Sequence, residues 1–148
     1  MFENGVVFDK QAIPADIQSV IDLYKSFSKY DEYTQEELYY HVLPSFKLKQ
    51  CKLFKENNKV IAFANWAFLN YKAEKEYINT GDFNDEDWNS GNSTWVVDVV
   101  SKSKGKEMAN WLRKKFKQFK WMRSNDKFNF YRISLNESKD LGLMYKIN

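Results

Sequence analysis

Asp87-Trp-Asn-Ser-Gly-Asn-Ser-Thr-Trp-Val-Val-Asp-Val-Val100 is the stretch on which the fold turns. Its first half is polar and turn-forming, and it ends a longer loop that runs from Thr80 to Ser93 around Phe83 and Trp88. Its second half, Trp95 to Val100, is rich in branched residues and reads as a buried strand. One carboxylate, Asp98, sits inside that strand. Burying it is costly unless it has a partner or a purpose. Asp98 is therefore either a catalytic or substrate-orienting group, or a strand-end residue that caps a turn or pairs with a lysine.

On the C-terminal side, residues 104–120 read as an amphipathic helix. Met108, Trp111, Leu112, Phe116 and Phe119 make its apolar stripe, and Lys106, Arg113, Lys117 and Lys120 a basic one. Arg113, Lys114, Lys117 and Lys120 are candidates for docking an acidic partner, although such a stripe is most often only a solvated face. Residues 128–135 and 141–147 look like closing strands. On the N-terminal side, 51–55 and 60–68 read as a β-hairpin, followed by a short helix over 70–78. A first helix spans 14–28, with Pro14 at its opening and Ile17, Val20, Ile21, Tyr24 and Phe27 at helical spacing. Thr34 and Glu37 form a capping box that starts a second helix, which Pro44 is expected to disturb or end. The order of elements predicts one α/β (α+β) domain over 1–148, a central mixed sheet flanked by helices.

The 148 residues are 43% apolar and 18% aromatic, which argues against a disordered adaptor. A net charge of +3, with no RNA-binding motif, argues against a nucleic-acid partner. Cys51 and His41 are the only residues of their kinds, too few for a disulfide or a standard structural zinc site. The opening Met-Phe-Glu-Asn-Gly has no signal-peptide character, and no window approaches a membrane span, so a cytoplasmic protein is expected. Tyr39, Tyr40, Trp88 and Trp111 read as exposed aromatics, and suggest a hetero-complex with a second protein.

Several segments resemble the RTX toxin-activating lysine acyltransferases. They are His41-Val-Leu-Pro-Ser-Phe46, Gln50-Cys-Lys-Leu-Phe54, Ile61-Ala-Phe-Ala-Asn-Trp-Ala67, Glu74-Lys-Glu-Tyr77, Leu112-Arg-Lys-Lys-Phe116 and, most specific, the stretch from Asp87 to Asp98. The resemblance runs from about residue 41 to 116. It implies a variant of the acetyltransferase (GNAT) fold, and transfer of a fatty acyl group from acyl carrier protein to internal lysines of a protoxin. It also implies a catalytic histidine–aspartate pair, with Asp98 at the aspartate position. Trp66, Trp88, Ser90 and Trp95 fall within the matching motifs and are candidate substrate-binding residues.

The same resemblance places the catalytic histidine at Tyr30. Tyrosine is worse as a base by about 3.5 pK units, roughly 5 kcal/mol, so Tyr30 is either a hydrogen-bond donor in the site or an aromatic anchor. His41 lies eleven residues further on, about 16 Å along a continuous helix, and is expected to be structural. This departure is similar to a side branch of the family, found in siderophore-microcin maturation. The implied reaction there joins a glucosylated catecholate siderophore to a microcin's C-terminal serine by an ester bond, with ATP as the activator. That reaction is the preferred expectation. Lysine acylation of a toxin precursor, an ordinary acetyltransferase, and a non-catalytic recognition subunit remain as alternatives.

Overall fold

A computed structural model describes residues 13–125 and 129–134. Its centre is the strand Ser93–Ser101 (β3), flanked in a five-stranded sheet by a hairpin on one side and two later strands on the other. The hairpin is Cys51–Glu56 (β1) and Lys59–Leu69 (β2), and the later strands are Lys120–Asn125 (β4) and Asn129–Ser134 (β5). The spatial order follows the chain, and only β3 and β4 run parallel. Asn57 and Asn58 both have positive φ (52° and 66°), the pair of left-handed residues that a two-residue hairpin loop needs. The sheet is mixed, as expected. The predicted strand over 141–147 lies outside the described residues.

Two helices, Ala15–Lys25 (α1) and Gln35–Lys47 (α2), cover one face of the sheet. The Thr34 hydroxyl accepts from Glu37 N–H, and the Glu37 carboxylate accepts from Thr34 N–H, so the capping box is complete. Pro44 does not end α2, which continues to Lys47. Proline removes one donor, toward the carbonyl of Tyr40, but the Pro44 carbonyl still accepts from Leu48 N–H.

A third helix, Tyr71–Thr80 (α3), is capped by the Asn70 side chain and closed by Gly81 in the left-handed region. The fourth, Gly105–Lys115 (α4), packs Met108, Ala109 and Leu112 on the other face against Ala62, Ala64, Trp66 and Val96. It stops well short of residue 120, because Phe116 turns to extended backbone. Phe116 and Phe119 still reach the core under α4, but from extended chain. The basic stripe is broken accordingly. Arg113 and Lys114 are on the last turn of α4, Lys117 lies in the connection, and Lys120 opens β4.

Glu74 on α3 ties three elements together. Its Oε2 accepts from the Trp95 indole N–H (2.8 Å), from Lys120 (2.8 Å) and from the Ser93 hydroxyl. These donors hold the Glu74 carboxyl below its ordinary pKa, although its burial opposes them. Trp95 is fully buried, so removing its acceptor strands an indole N–H. Glu74→Ala should lower the unfolding free energy by about 1–3 kcal/mol, measured by urea denaturation. An unchanged midpoint and slope would show that the network is ornamental.

Candidate active site

Alternation along a strand would place Trp95, Val97 and Val99 on one face, and Val96 and Asp98 on the other. The register with β2 breaks this rule. Asn65 pairs with Asp98 and Trp66 with Val96, which leaves Val97 as an unpaired bulge. Val96 and Val99 therefore both pack under α4, while Asp98 and Val100 turn toward α1 and α2. The buried Asn65 secures the junction. Its Oδ1 accepts from Asp98 N–H (2.9 Å) and its amide donates to Ser45 Oγ (3.2 Å), whose hydroxyl donates to the Val42 carbonyl (2.9 Å).

Two side chains meet the carboxylate so presented. Tyr24 Oη at the end of α1 donates to Asp98 Oδ2 (2.6 Å), and His41 Nε2 on α2 lies 2.7 Å from the same oxygen. Tyr24 is fully buried, whereas the His41 side chain is 45% exposed and that of Asp98 19%. His41, expected to lie away from the Tyr30 region, is thus brought to Asp98. The eleven residues between Tyr30 and His41 do not run along one helix: Ser28–Tyr30 is a 3-10 turn, the chain doubles back, and α2 begins only at Gln35. Both rings then pack on Tyr24, with centroids at 4.9 Å for Tyr30 and 5.8 Å for His41.

The electrostatics follow from this packing. Burial pulls the His41 pKa down, but the charge and hydrogen bond of Asp98, with Asp82 and Asp85 nearby, outweigh it and hold His41 above its ordinary value. Burial alone would raise Asp98. The His41 charge and hydrogen bond, the Tyr24 hydroxyl and the Lys29 charge instead hold its carboxyl low. Burial and the Asp98 charge push the Tyr30 phenol far above its usual range, so it stays neutral and does not serve as a base. With Nε2–H directed at a carboxylate, the neutral imidazole carries its free lone pair on Nδ1.

Above the pair is a cavity of about 630 Å³, bordered by Tyr40, Tyr77, Phe83, Trp88, Asp82 and Asp85. Of the residues expected to bind substrate, only Trp88 reaches it. Trp66 packs on Trp111 and Phe116 beneath α4, and Trp95 is buried with its indole on Glu74. Ser90 shapes a turn: its hydroxyl donates to the Asp87 carbonyl and accepts from Asn70 N–H. The neighbouring glycine is required by space, since a Cβ at Gly91 would lie 2.5 Å from Asn70 Cα. The expectation of four exposed aromatics also needs correction. Trp88 is buried against Phe83, Tyr39 and Trp111 are partly covered, and Tyr40 is exposed. Among the described residues no group of His, Cys, Asp and Glu could hold a metal ion. No described helix is long and apolar enough to cross a membrane.

Sequence reasoning missed Tyr24 and Asn65. Asn65 carried a usable signal, an amide inside the apolar run of β2, by the same logic that singled out Asp98.

The profile of the RTX toxin acyltransferase family matches residues 16–134. The chain belongs to that family. It is 32% identical over 80 residues to a leukotoxin-activating lysine-acyltransferase of Mannheimia haemolytica, covering 53% of this chain and 48% of that protein. It is 30% identical over 86 residues to a lysine-acyltransferase of Vibrio cholerae, covering 56% of each. A protein-lysine myristoyltransferase of Escherichia coli is 31% identical over 78 residues, covering 51% of this chain and 45% of its own length. The chain spans about half the length of these curated relatives.

Proposed function

We propose that this protein transfers a fatty acyl group from the thioester of acyl carrier protein to a lysine side chain of a toxin precursor, through a GNAT-like domain with His41 as general base. The observation that carries this reading is the His41–Asp98 contact of 2.7 Å at the floor of a cavity. The names of the relatives, lysine-acyltransferases and a protein-lysine myristoyltransferase, support the reaction class. The siderophore ester reading starts from departures from the family pattern, the first of them the lack of a base at Tyr30 and another the Ser101-Lys-Ser-Lys-Gly105 segment after Asp98. His41 offers such a base, and the names of these three relatives point to lysine acylation.

In the proposed step the lysine nitrogen attacks the thioester carbonyl carbon. A C–N bond forms and the C–S bond breaks. The proton released from the amine passes to His41 Nδ1, and the imidazolium returns it to the departing thiolate. Asp98 stabilises the imidazolium and holds the ring with Nδ1 free. Tyr30, neutral beside the pair, takes no proton. Lys114 and Lys117 are exposed and remain candidates for docking the acidic carrier, whereas Lys120 is engaged by Glu74 and Arg113 bonds Asn110. Incubating the protein with myristoyl acyl carrier protein and a lysine-bearing toxin fragment, followed by mass spectrometry, tests the assignment. No acylated lysine under these conditions would overturn it.

The pH profile provides a second test. A base must be unprotonated, so kcat/KM should rise with pH through the His41 pKa, above the ordinary value of about 6.5. Asp85 helps to raise that pKa, and Asp85→Asn should move the limb to lower pH. A limb that ignores this substitution would remove His41 from the role. Protonated His41 also stabilises the fold. That contribution is complete below its unfolded pKa and is lost as pH rises through the raised folded value.

A further inference from the structure

The cavity over His41 does not end at the catalytic pair. It shares Glu37, Tyr40, Asp85 and Glu86 with a second depression of about 1150 Å³ that follows α2 as far as Lys47 and Leu48. Together they form one trough. Its floor is apolar, made by Tyr40, Leu43, Pro44 and Leu48, with Tyr40 37% and Leu48 43% exposed. Its walls are anionic: Glu36 and Glu37 from α2 face Asp85 and Glu86 from the turn opposite, and Asp82 lies near the pair. Apart from His41, Lys47 is the only cationic side chain among the described lining residues. This sign is opposite to that of the whole chain, which carries +3. Glu36 adds an independent observation: its Oε2 is shielded from water and accepts no hydrogen bond among the described residues. Such an oxygen is costly until a donor reaches it.

We infer that this trough is the acceptor channel, and that it takes an extended, basic segment of the protein substrate. Leu- or Val-like side chains of the segment lie on Tyr40, Leu43 and Leu48. Its Lys and Arg residues meet Glu36, Glu37, Asp85 and Glu86, and its target lysine reaches His41. The inference rests on the acyl-transfer reading above. It also orders the reaction in space, because an acidic carrier protein is repelled by these walls and must deliver its thioester from another side. Each exposed ion pair is weak alone, so the charges act mainly by selecting one partner and rejecting others.

Binding, rather than turnover, tests the channel. Two labelled 20-residue peptides carry one central lysine and alternating Leu and Val, one with Lys and Arg flanks and the other with Glu flanks. They are titrated by fluorescence anisotropy against the full chain bearing His41→Ala. The basic peptide should bind roughly tenfold more tightly than the acidic one, and added salt should weaken it. Adding Glu36→Lys and Glu86→Lys should abolish or invert the preference. Should that protein fail to fold by circular dichroism, Glu36→Gln with Glu86→Gln should reduce the preference instead. Equal binding of both peptides, or a preference untouched by the substitutions, overturns the channel. Lysine acylation by the unsubstituted protein with no charge preference would overturn the channel and leave the acyl-transfer reading standing. Charge-selective binding without any acyl transfer would do the reverse.

Discussion

Alanine in place of His41 should slow acyl transfer by about 10²–10⁴-fold, the range that a positioned general base contributes. The loss should fall on kcat, because the imidazole acts on the proton that leaves the amine as the C–N bond forms. The fold should survive, since the His41 side chain is half-exposed and anchors no core cluster. Asp98 would retain the Tyr24 hydroxyl as a donor. Single-turnover rates, with circular dichroism as the control for folding, separate chemistry from stability. A folded His41→Ala protein with a rate within a few-fold of the parent would leave the pair without a catalytic role.

Asp98→Asn should cost about 10²-fold or more by a different route. Asparagine keeps the shape but loses the charge that stabilises the imidazolium. Both Tyr24 and His41 donate to one carboxylate oxygen. An amide oxygen in that place can still accept from both, but it is a neutral and weaker acceptor. Without the carboxylate charge the His41 pKa should fall from its raised value toward or below the ordinary one of about 6.5. An NMR titration of the single histidine reads this directly, whether or not turnover is measured. If the histidine titrates unchanged and transfer proceeds, Asp98 is a structural residue.

Features governed by local chemistry were legible in the sequence. Thr34 and Glu37 announce their helix because both halves of the capping box lie within four residues. The hairpin around Asn57 and Asn58 is visible for the same reason. Asp98 stood out because a carboxylate within a buried strand needs an explanation. The partner it finds was not legible. His41 reaches Asp98 only because the chain doubles back between α1 and α2, and neither residue records that path in its own neighbourhood. The overrun of α4 has a related cause: Phe116 and Phe119 sit at helical spacing, yet an extended chain carries them to the same core. Trp66 and Trp95 mark the matching motifs, but their rings support the sheet rather than the cavity.

The unpaired Val97 has a consequence for how this strand can change. Which way each side chain of β3 points is a question of parity, and one extra residue sets it. Losing the Val97 codon alone would set Asp98 directly after Val96, so the ladder would close without a break and the acid would keep Asn65 as its partner and its face toward His41. Losing Val96 as well would set the acid opposite Trp66, in the hydrophobic layer beneath α4. In this strand, therefore, an odd gap at the bulge keeps the chemistry and an even gap changes it.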